Sequence, residues 1–396
     1  MTPIENGLSD ALAGLFAPAG SEVPLPTNEI ITAMLGLSAK VSSLIFSPGR
    51  IPQVGWNGGL MVVPGLPVLS ADDTRRMAAE LIGQHQQAQR LLLEEGSTDF
   101  SYSVSGTSRF RVNVFSQRGS YAIVLKVIPH SVPTLESLNL PSQLGDVTDL
   151  EDGIVLVTGS SGSGKSSTIA AMLNKINQEK TWHVVTIEDP IEYLHYHKRC
   201  TVHQRELHTD APSYSVAFRA ALRQEPKVIL VGEIRDRETM EVALEAAESG
   251  HLVMSTLNTS DASKTVERIV SAFPGAEQQF VRQRLSKCFR YIVSQRLLPR
   301  KDKNGRVAAI EILKSTMRTR EYMERGEQEG KTLLDAIRMG DLDGMQCFDD
   351  VIERLIRYGI VGIEAGLGYA SNPSALRASL SDLIECQLEL KAKVDR

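Results

Sequence analysis

The pattern of apolar and polar positions changes character twice along the chain. Residues 1–26 are rich in Gly, Pro and small residues, and read as a loose tail holding at most one short helix. Residues 27–128 read as an α+β domain. A helix near Glu29–Leu37 precedes short β-like runs at Val41–Phe46, Pro52–Trp56 and Leu60–Val63. A helical stretch follows from Ala71 to Glu95, its first turn enriched in acid by Asp72 and Asp73. Three more strand-like runs come next, at Phe100–Val104, Arg109–Phe115 and Tyr121–Ile128. Gln117-Arg118-Gly119-Ser120 predicts a hairpin between the last two. Residues 129–145 carry three prolines and read as a linker with a short helix. Beyond them, the runs Ile154–Thr158, His183–Glu188, Val228–Gly232 and Leu252–Thr256 alternate with helical sequence, which predicts a parallel sheet with crossovers over 146–306. These runs are continuously apolar, as strands buried on both faces must be. From about Val307 the chain reads as helical, so 307–396 is expected to be a helical C-terminal region, with Leu333–Arg338, Cys347–Gly359 and Ala375–Lys393 at helical spacing.

Composition narrows the function classes. A chain of 396 residues, 42% hydrophobic and 23% charged, is ordinary for a globular protein of two or three domains. A net charge of −5 argues against a general nucleic-acid binder, so no nucleic-acid partner is expected. One local exception runs from Arg282 to Arg306, where nine Lys or Arg residues stand against Asp302 alone. The plain reading is a solvated helix face and loop, and the sharper one a docking or phosphate-facing surface. Cys200, Cys288, Cys347 and Cys386 are isolated and form no C-x-x-C pair, which disfavours a disulfide framework or a zinc site and fits a reducing compartment. The start of the chain lacks the layout of a signal peptide, and no apolar run approaches the roughly 18 residues of a membrane span. A cytoplasmic protein is expected, with no direct membrane insertion and membrane docking only through another protein.

The strongest motif is Gly159-Ser160-Ser161-Gly162-Ser163-Gly164-Lys165-Ser166, which fits G-x-x-x-x-G-K-[ST] at every fixed position. It lies between an apolar strand and a helix through Ala170, Ala171 and Leu173, the context that such a phosphate loop requires. Its glycines let successive backbone N–H groups turn toward phosphate oxygens, and the helix N-terminus adds partial positive charge. Lys165 is then expected to reach the β- and γ-phosphates and the Ser166 hydroxyl to coordinate Mg²⁺, with Ser167 beside it completing the nucleotide-binding set. Hydrolysis also needs carboxylates to activate water and hold the metal. Two candidates end strands: Val184-Val185-Thr186-Ile187 runs into Glu188, and Val228-Ile229-Leu230-Val231-Gly232 into Glu233. In an open parallel sheet ligands bind beyond the carboxyl ends of the strands, so both can converge on the loop. His251, opening the next strand, is a candidate for sensing the γ-phosphate or positioning water, against an equally weighted structural role.

Together these boxes resemble the secretion and pilus ATPase superfamily, most closely its type IV pilus retraction (PilT-like) branch, over residues 28 to 375. Thr186-Ile187-Glu188-Asp189-Pro190-Ile191-Glu192-Tyr193 is similar to the family's acidic box, and Val228 through Asp236 to its Walker B segment, with glutamate in place of aspartate. Ser249-Gly250-His251-Leu252-Val253 through Thr256-Leu257-Asn258-Thr259 is similar to its histidine box. Gln204-Arg205-Glu206 and Phe218-Arg219-Ala220-Ala221-Leu222-Arg223 match the stretch between boxes, and Gly344-Met345-Gln346 with Phe348-Asp349 resembles a C-terminal element of the branch. The resemblance implies an α/β protein: a PAS-like α+β N-terminal domain, a flexible linker and a RecA-like P-loop domain with a helical C-terminal region. It implies a homo-oligomer, a hexameric ring binding ATP between subunits and powering twitching motility. Its implied partners are an inner-membrane pilus platform protein and a paralogous retraction ATPase. By the same analogy Glu188 is the general base and Glu233 the Mg²⁺-side ligand. Arg109 and Arg111 match N-domain arginines that reach nucleotide phosphates, while Arg223 and Arg235 are weaker candidates.

The chain departs from the family's pattern in places. Asn258 replaces the second histidine of the histidine box, and can hydrogen-bond but not take up a proton near neutral pH. Ser42-Ser43-Leu44-Ile45 and Gly55-Trp56-Asn57-Gly58 lack the family's charged N-domain residues, and the helix motif near Arg320-Glu321-Tyr322-Met323 is only partly kept. An assembly or secretion ATPase is disfavoured because that group's four-cysteine zinc element has no counterpart. A weakly hydrolysing, nucleotide-gated accessory subunit is the other alternative.

Overall fold

The computed structural model describes residues 26–38, 41–56, 59–129, 131–303 and 305–385. Residues 1–25 of the expected tail 1–26, the Asn57-Gly58 departure, Cys386 and the end of the Ala375–Lys393 helix lie outside the described residues. The chain falls into two compact units, Met1–Ser131 with Pro190–Leu194, and Val132–Asp189 with His195–Arg396.

In the first unit the elements are α1 (Thr27–Gly36), β1 (Val41–Phe46), β2 (Gln53–Trp56), β3 (Gly59–Val62), α2 (Ala71–Ile82), α3 (Gln86–Glu94), β4 (Ser97–Val104), β5 (Ser108–Gln117) and β6 (Ser120–Ile128). The strands form one antiparallel sheet in the order β3-β2-β1-β6-β5-β4. β5 alternates strictly: Phe110, Val112 and Val114 enter the core, and Arg109, Arg111 and Asn113 share the other face. The hairpin predicted at 117–120 is present. Arg118 and Gly119 both have positive φ, 48° and 76°, the two-residue turn that follows the natural strand twist. The single helix expected over Ala71–Glu95 is two. The first begins on a capping box between Ser70 and Asp73 and ends at Gly83; His85 then caps the second, its Nδ1 accepting the Ala88 N–H at 3.2 Å.

The second unit contains β7 (Gly153–Thr158), α4 (Lys165–Glu179), β8 (His183–Glu188), β9 (Thr201–Glu206), α5 (Tyr214–Leu222), β10 (Val228–Val231), α6 (Arg237–Glu248), β11 (Leu252–Leu257), α7 (Ala262–Ser271), α8 (Gly275–Cys288), β12 (Phe289–Pro299) and β13 (Arg306–Lys314). The helices α9 (Met317–Arg325), α10 (Leu333–Arg338), α11 (Phe348–Arg357), α12 (Ile363–Tyr369) and α13 (Pro373–Ser379) follow. The sheet order is β13-β12-β7-β11-β10-β8-β9, parallel except for β13. Successive residues of its central strands feed two separate cores. Ile154, Leu156, Ile187, Ile229 and Val253 pack on one face, and Val155, Val157, Val184, Leu230 and Met254 on the other. That double burial explains their unbroken apolar runs.

Three strands were not expected. β9 is a mostly polar edge strand. β12 interrupts its apolar run with Arg290, Ser294, Gln295 and Arg296, all of which find partners. β13 opens the stretch read as helical, so the expected boundary at 306–307 falls at the start of a strand. Much of the stretch read as a linker is also packed: Leu135 and Leu144 are buried in the second unit's core, and a 3₁₀ helix spans Ser142–Asp149. The C-terminal helices cover the β12–β13 hairpin, where Leu298 and Ala309 bury against Phe348, Ile352 and Leu367. The Arg296 guanidinium lies 3.7 Å from the Phe348 ring centroid and donates to the Tyr369 carbonyl at 2.6 Å.

The basic run from Arg282 to Arg306 spreads over α8, β12 and the turn after it, and several of its charges are engaged by acids. Arg284 forks onto Glu248 at 2.8 and 2.7 Å, Arg290 pairs with Asp152, and Arg300 pairs with Asp302.

A buried acid between β13 and α7 gives a pH prediction. Glu311 is almost fully buried and accepts the Ala262 N–H, at the start of α7, at 3.0 Å. Burial, with help from the Asp261 charge, pushes its carboxyl up to about 7, against the opposing pull of that N–H and of Arg296. A carboxyl raised in the folded state holds its proton where the unfolded chain has lost it. Its contribution is therefore complete below the ordinary carboxylate range and is lost as pH rises toward 7. Glu311→Gln is expected to gain on the wild type across that window, by on the order of 3 kcal/mol at most. Thermal unfolding of both proteins at pH 5 and pH 8 checks this: the melting-temperature difference should move in favour of the variant by several degrees, and an unchanged difference would contradict it.

Candidate nucleotide site

Four adjacent strands, β7, β11, β10 and β8, end at the same edge of the second sheet, and each delivers one part of the site. The phosphate loop Gly159–Ser166 leaves β7, and α4 starts at Lys165. Asn258 follows β11, Glu233 comes two residues after β10, and Glu188 is the last residue of β8. The Gly232 N–H donates to the Ile187 carbonyl at 2.8 Å, which holds the two acidic tips side by side.

A continuous chain of polar contacts crosses these tips. The Lys165 ammonium donates to the loop carbonyls of Gly159 and Ser160 at 2.9 and 3.0 Å, and to Asn258 Oδ1 at 2.8 Å. Asn258 Nδ2 donates to Glu233 Oε1 at 2.6 Å, and Arg235 Nε donates to Glu233 Oε2 at 2.9 Å. The Asn258 amide thus bridges the loop lysine and the acid of the neighbouring strand. An asparagine does this at any pH, because it carries a donor and an acceptor at once. Glu188 is held from β8 and β9. Its Oε1 accepts the Thr186 hydroxyl at 2.7 Å and Gln204 Nε2 at 3.0 Å, and Gln204 Oε1 accepts the His195 N–H at 2.7 Å. Thr186 and Gln204 are register partners across β8 and β9, so the edge strand aims the carboxylate.

The structure therefore brings Lys165, Ser166, Ser167, Glu188 and Glu233 to one edge. It does not bring His251 there. His251 precedes β11 and Asn258 follows it, so a strand of six residues, on the order of 20 Å, separates the histidine from the loop's edge. Its Nδ1 lies 3.0 Å from the Ala246 carbonyl and 3.1 Å from Ser249 Oγ, and its carbonyl accepts the Gly153 N–H at 3.0 Å. These contacts tie α6 and β7 together at the far edge, so a direct role at the γ-phosphate is not what the geometry supports. Arg109 and Arg111 lie on β5 of the first unit, where Arg111 forks onto Asp99 of β4 at 3.2 and 3.0 Å. Arg223 caps the end of α5.

Gln204, and Asn258 as a bridge, were not identified as parts of the site from sequence. Gln204 stands on the unpredicted β9, and only its register opposite Thr186 would have shown it. No group of three or more metal-binding side chains occurs among the described residues. The hard oxygen donors here, one hydroxyl and one carboxylate, suit a Mg²⁺ ion that keeps most of its water and is completed by phosphate.

A family profile described as "Type II/IV secretion system protein" matches residues 90–356. The chain belongs to this family. Within the type II/IV secretion family it is similar to the twitching motility protein of Neisseria gonorrhoeae, 41% identical over 82% of this chain and 86% of that protein. It is equally similar to the type IV pilus retraction ATPase PilT of Pseudomonas aeruginosa, 41% identical over 84% of this chain and 96% of that one. Its similarity to the type IV pilus ATPase PilU of the same organism is 38% over 85% and 87%. Among solved structures, that of the pilus retraction motor PilT with bound ADP matches with a TM-score of 0.80 and 39% identity, covering 90% of this chain and all (100%) of that one. The chain is thus an ATPase of the secretion and pilus group with the fold of PilT: an antiparallel N-terminal sheet domain followed by a mixed, mostly parallel sheet with helices. No helix among the described residues is long and apolar enough to cross a membrane.

Proposed function

We propose that this protein is the ATP-hydrolysing subunit of a cytoplasmic ring motor that retracts type IV pili. The observation that carries the reading is the ordered row of strand tips, loop, Asn258, Glu233 and Glu188, on a chain of the PilT and PilU group. In this reading residues 159–167 wrap the phosphates of ATP, and Lys165 turns from its carbonyl partners toward the β- and γ-oxygens. Ser166 and, through water, Glu233 hold Mg²⁺, which when bound neutralises charge on those oxygens. Glu233 suits an outer-sphere role because both its oxygens already accept hydrogen bonds from protein. Glu188, aimed by Thr186 and Gln204, accepts the proton of the attacking water. Arg109 and Arg111, supplied from the N-terminal domain of another subunit of a homohexamer, add positive charge as it develops. The ring would dock on an inner-membrane platform protein, alone or beside a paralogous retraction ATPase. Asn258, in the place of a titratable residue, favours as second reading a slower accessory subunit.

Light scattering and ATP turnover on the purified protein, with and without Mg-ATP, test the proposal. Assembly to about six copies together with steady hydrolysis supports a motor. Assembly with nucleotide binding but negligible turnover supports the accessory reading. A chain that stays monomeric at saturating Mg-ATP removes the ring.

A further inference from the structure

We infer that Gln295, on β12, is a positioning residue that holds the phosphate loop in its binding shape. The inference rests on that loop being the nucleotide cradle. Gln295 is 4% exposed and lies directly beneath the loop. Its Nε2 donates to the Ser163 carbonyl at 2.6 Å, and its Oε1 accepts the Thr168 hydroxyl from the first turn of α4 at 2.6 Å. One side-chain amide therefore links the loop to the helix whose N–H groups face the phosphates, and neither of its ends is left unpaired. By accepting from Gln295, the Ser163 carbonyl is kept on the underside, which leaves the neighbouring N–H groups on the ligand side.

The loop's own sequence is fitted to this brace. A Cβ at Gly159 would meet the Gln295 carbonyl oxygen at 2.5 Å, and a Cβ at Gly164 would meet Gln295 Nε2 at 2.6 Å. Both glycines also hold positive φ, 149° and 92°. They are required here by a specific neighbour as well as by backbone shape. β12 supplies a second tie one residue earlier, where the Thr158 hydroxyl, at the root of the loop, donates to Ser294 Oγ at 3.0 Å. The brace touches no reacting atom and stands across the loop from Glu188. Its loss should change how well the loop binds phosphates far more than how fast bound ATP reacts.

The test compares wild type, Gln295→Leu, Thr168→Val and Thr168→Ser by steady-state kinetics and by titration with a fluorescent ATP analogue, with Lys165→Ala as the non-binding control. Circular dichroism and melting temperature report folding. Gln295→Leu, which keeps the volume and removes both bonds, should raise KM and the dissociation constant at least tenfold while kcat changes less than threefold. Thr168→Val should give a smaller rise in the same direction, and Thr168→Ser should restore wild-type values. A folded Gln295→Leu whose KM stays within twofold of wild type, or which loses kcat alone, overturns the inference. Should Gln295→Leu fail to fold, Thr168→Val decides: unchanged KM overturns it. A wild type that binds no nucleotide would instead overturn the nucleotide reading itself, an outcome the control separates from failure of the brace.

Discussion

Glu188→Gln is expected to lower steady-state ATP turnover by roughly 10²–10⁴-fold and to leave nucleotide affinity within a few-fold of wild type, since that is the usual range for removing a general base. The substitution preserves shape. An amide oxygen at the same place still accepts the Thr186 hydroxyl and Gln204 Nε2, so these two bonds are kept. What is lost is the capacity to take a proton from water. Single-turnover hydrolysis measured beside equilibrium binding separates the two effects. Turnover within threefold of wild type would show that another group activates the water, and affinity falling in step with rate would show that Glu188 acts mainly in binding. Gln204→Leu should give a milder version of the rate defect, because it removes the Gln204 bond that helps aim the carboxylate while the Thr186 bond remains.

Lys165→Ala should be more damaging to binding. The ammonium donates to Gly159, Ser160 and Asn258 at the mouth of the loop, and it is the charge best placed to meet a phosphate. Its removal is expected to weaken Mg-ATP binding by at least roughly 100-fold and to abolish measurable turnover, since hydrogen bonds to charged groups are the strong ones in such sites. Lys165→Arg should not restore function: a planar fork cannot replace a compact ammonium inside a tight loop. Calorimetric titration with Mg-ATP checks both variants, and a micromolar affinity retained by Lys165→Ala would contradict the assignment. Asn258→Ala should cost less than either, because Lys165 keeps two carbonyl partners and Glu233 keeps Arg235.

How much of this was visible beforehand follows from how local each signal is. The phosphate loop is eight consecutive residues between an apolar strand and a helix, and the four central strands are buried on both faces, so both are written as contiguous patterns. β9 and β12 are not. The polar residues of β12 are satisfied by groups far along the chain, such as Ser163 for Gln295, and the partner is invisible without the fold. Strand register, equally unwritten in the local pattern, hid the role of Gln204 toward Glu188 and the hold of Asp99 on Arg111. His251, open to either a site or a structural role in the sequence, stands apart from the loop for a different reason. A residue that opens a parallel strand lies at the edge opposite the one that binds ligand, a rule that already favoured Asn258, seven positions later, over the histidine.

The row of strand tips has a further consequence. Because each site residue sits at the end of a hydrogen-bonded strand, the spacing between them is set by the ladder, about 4.8 Å per step, and not by how the flanking helices pack. The sheet works as a ruler. Helix surfaces can drift through many substitutions without moving one tip relative to the next, whereas a slip of a single residue in β10 would carry Glu233 away from both its neighbours at once.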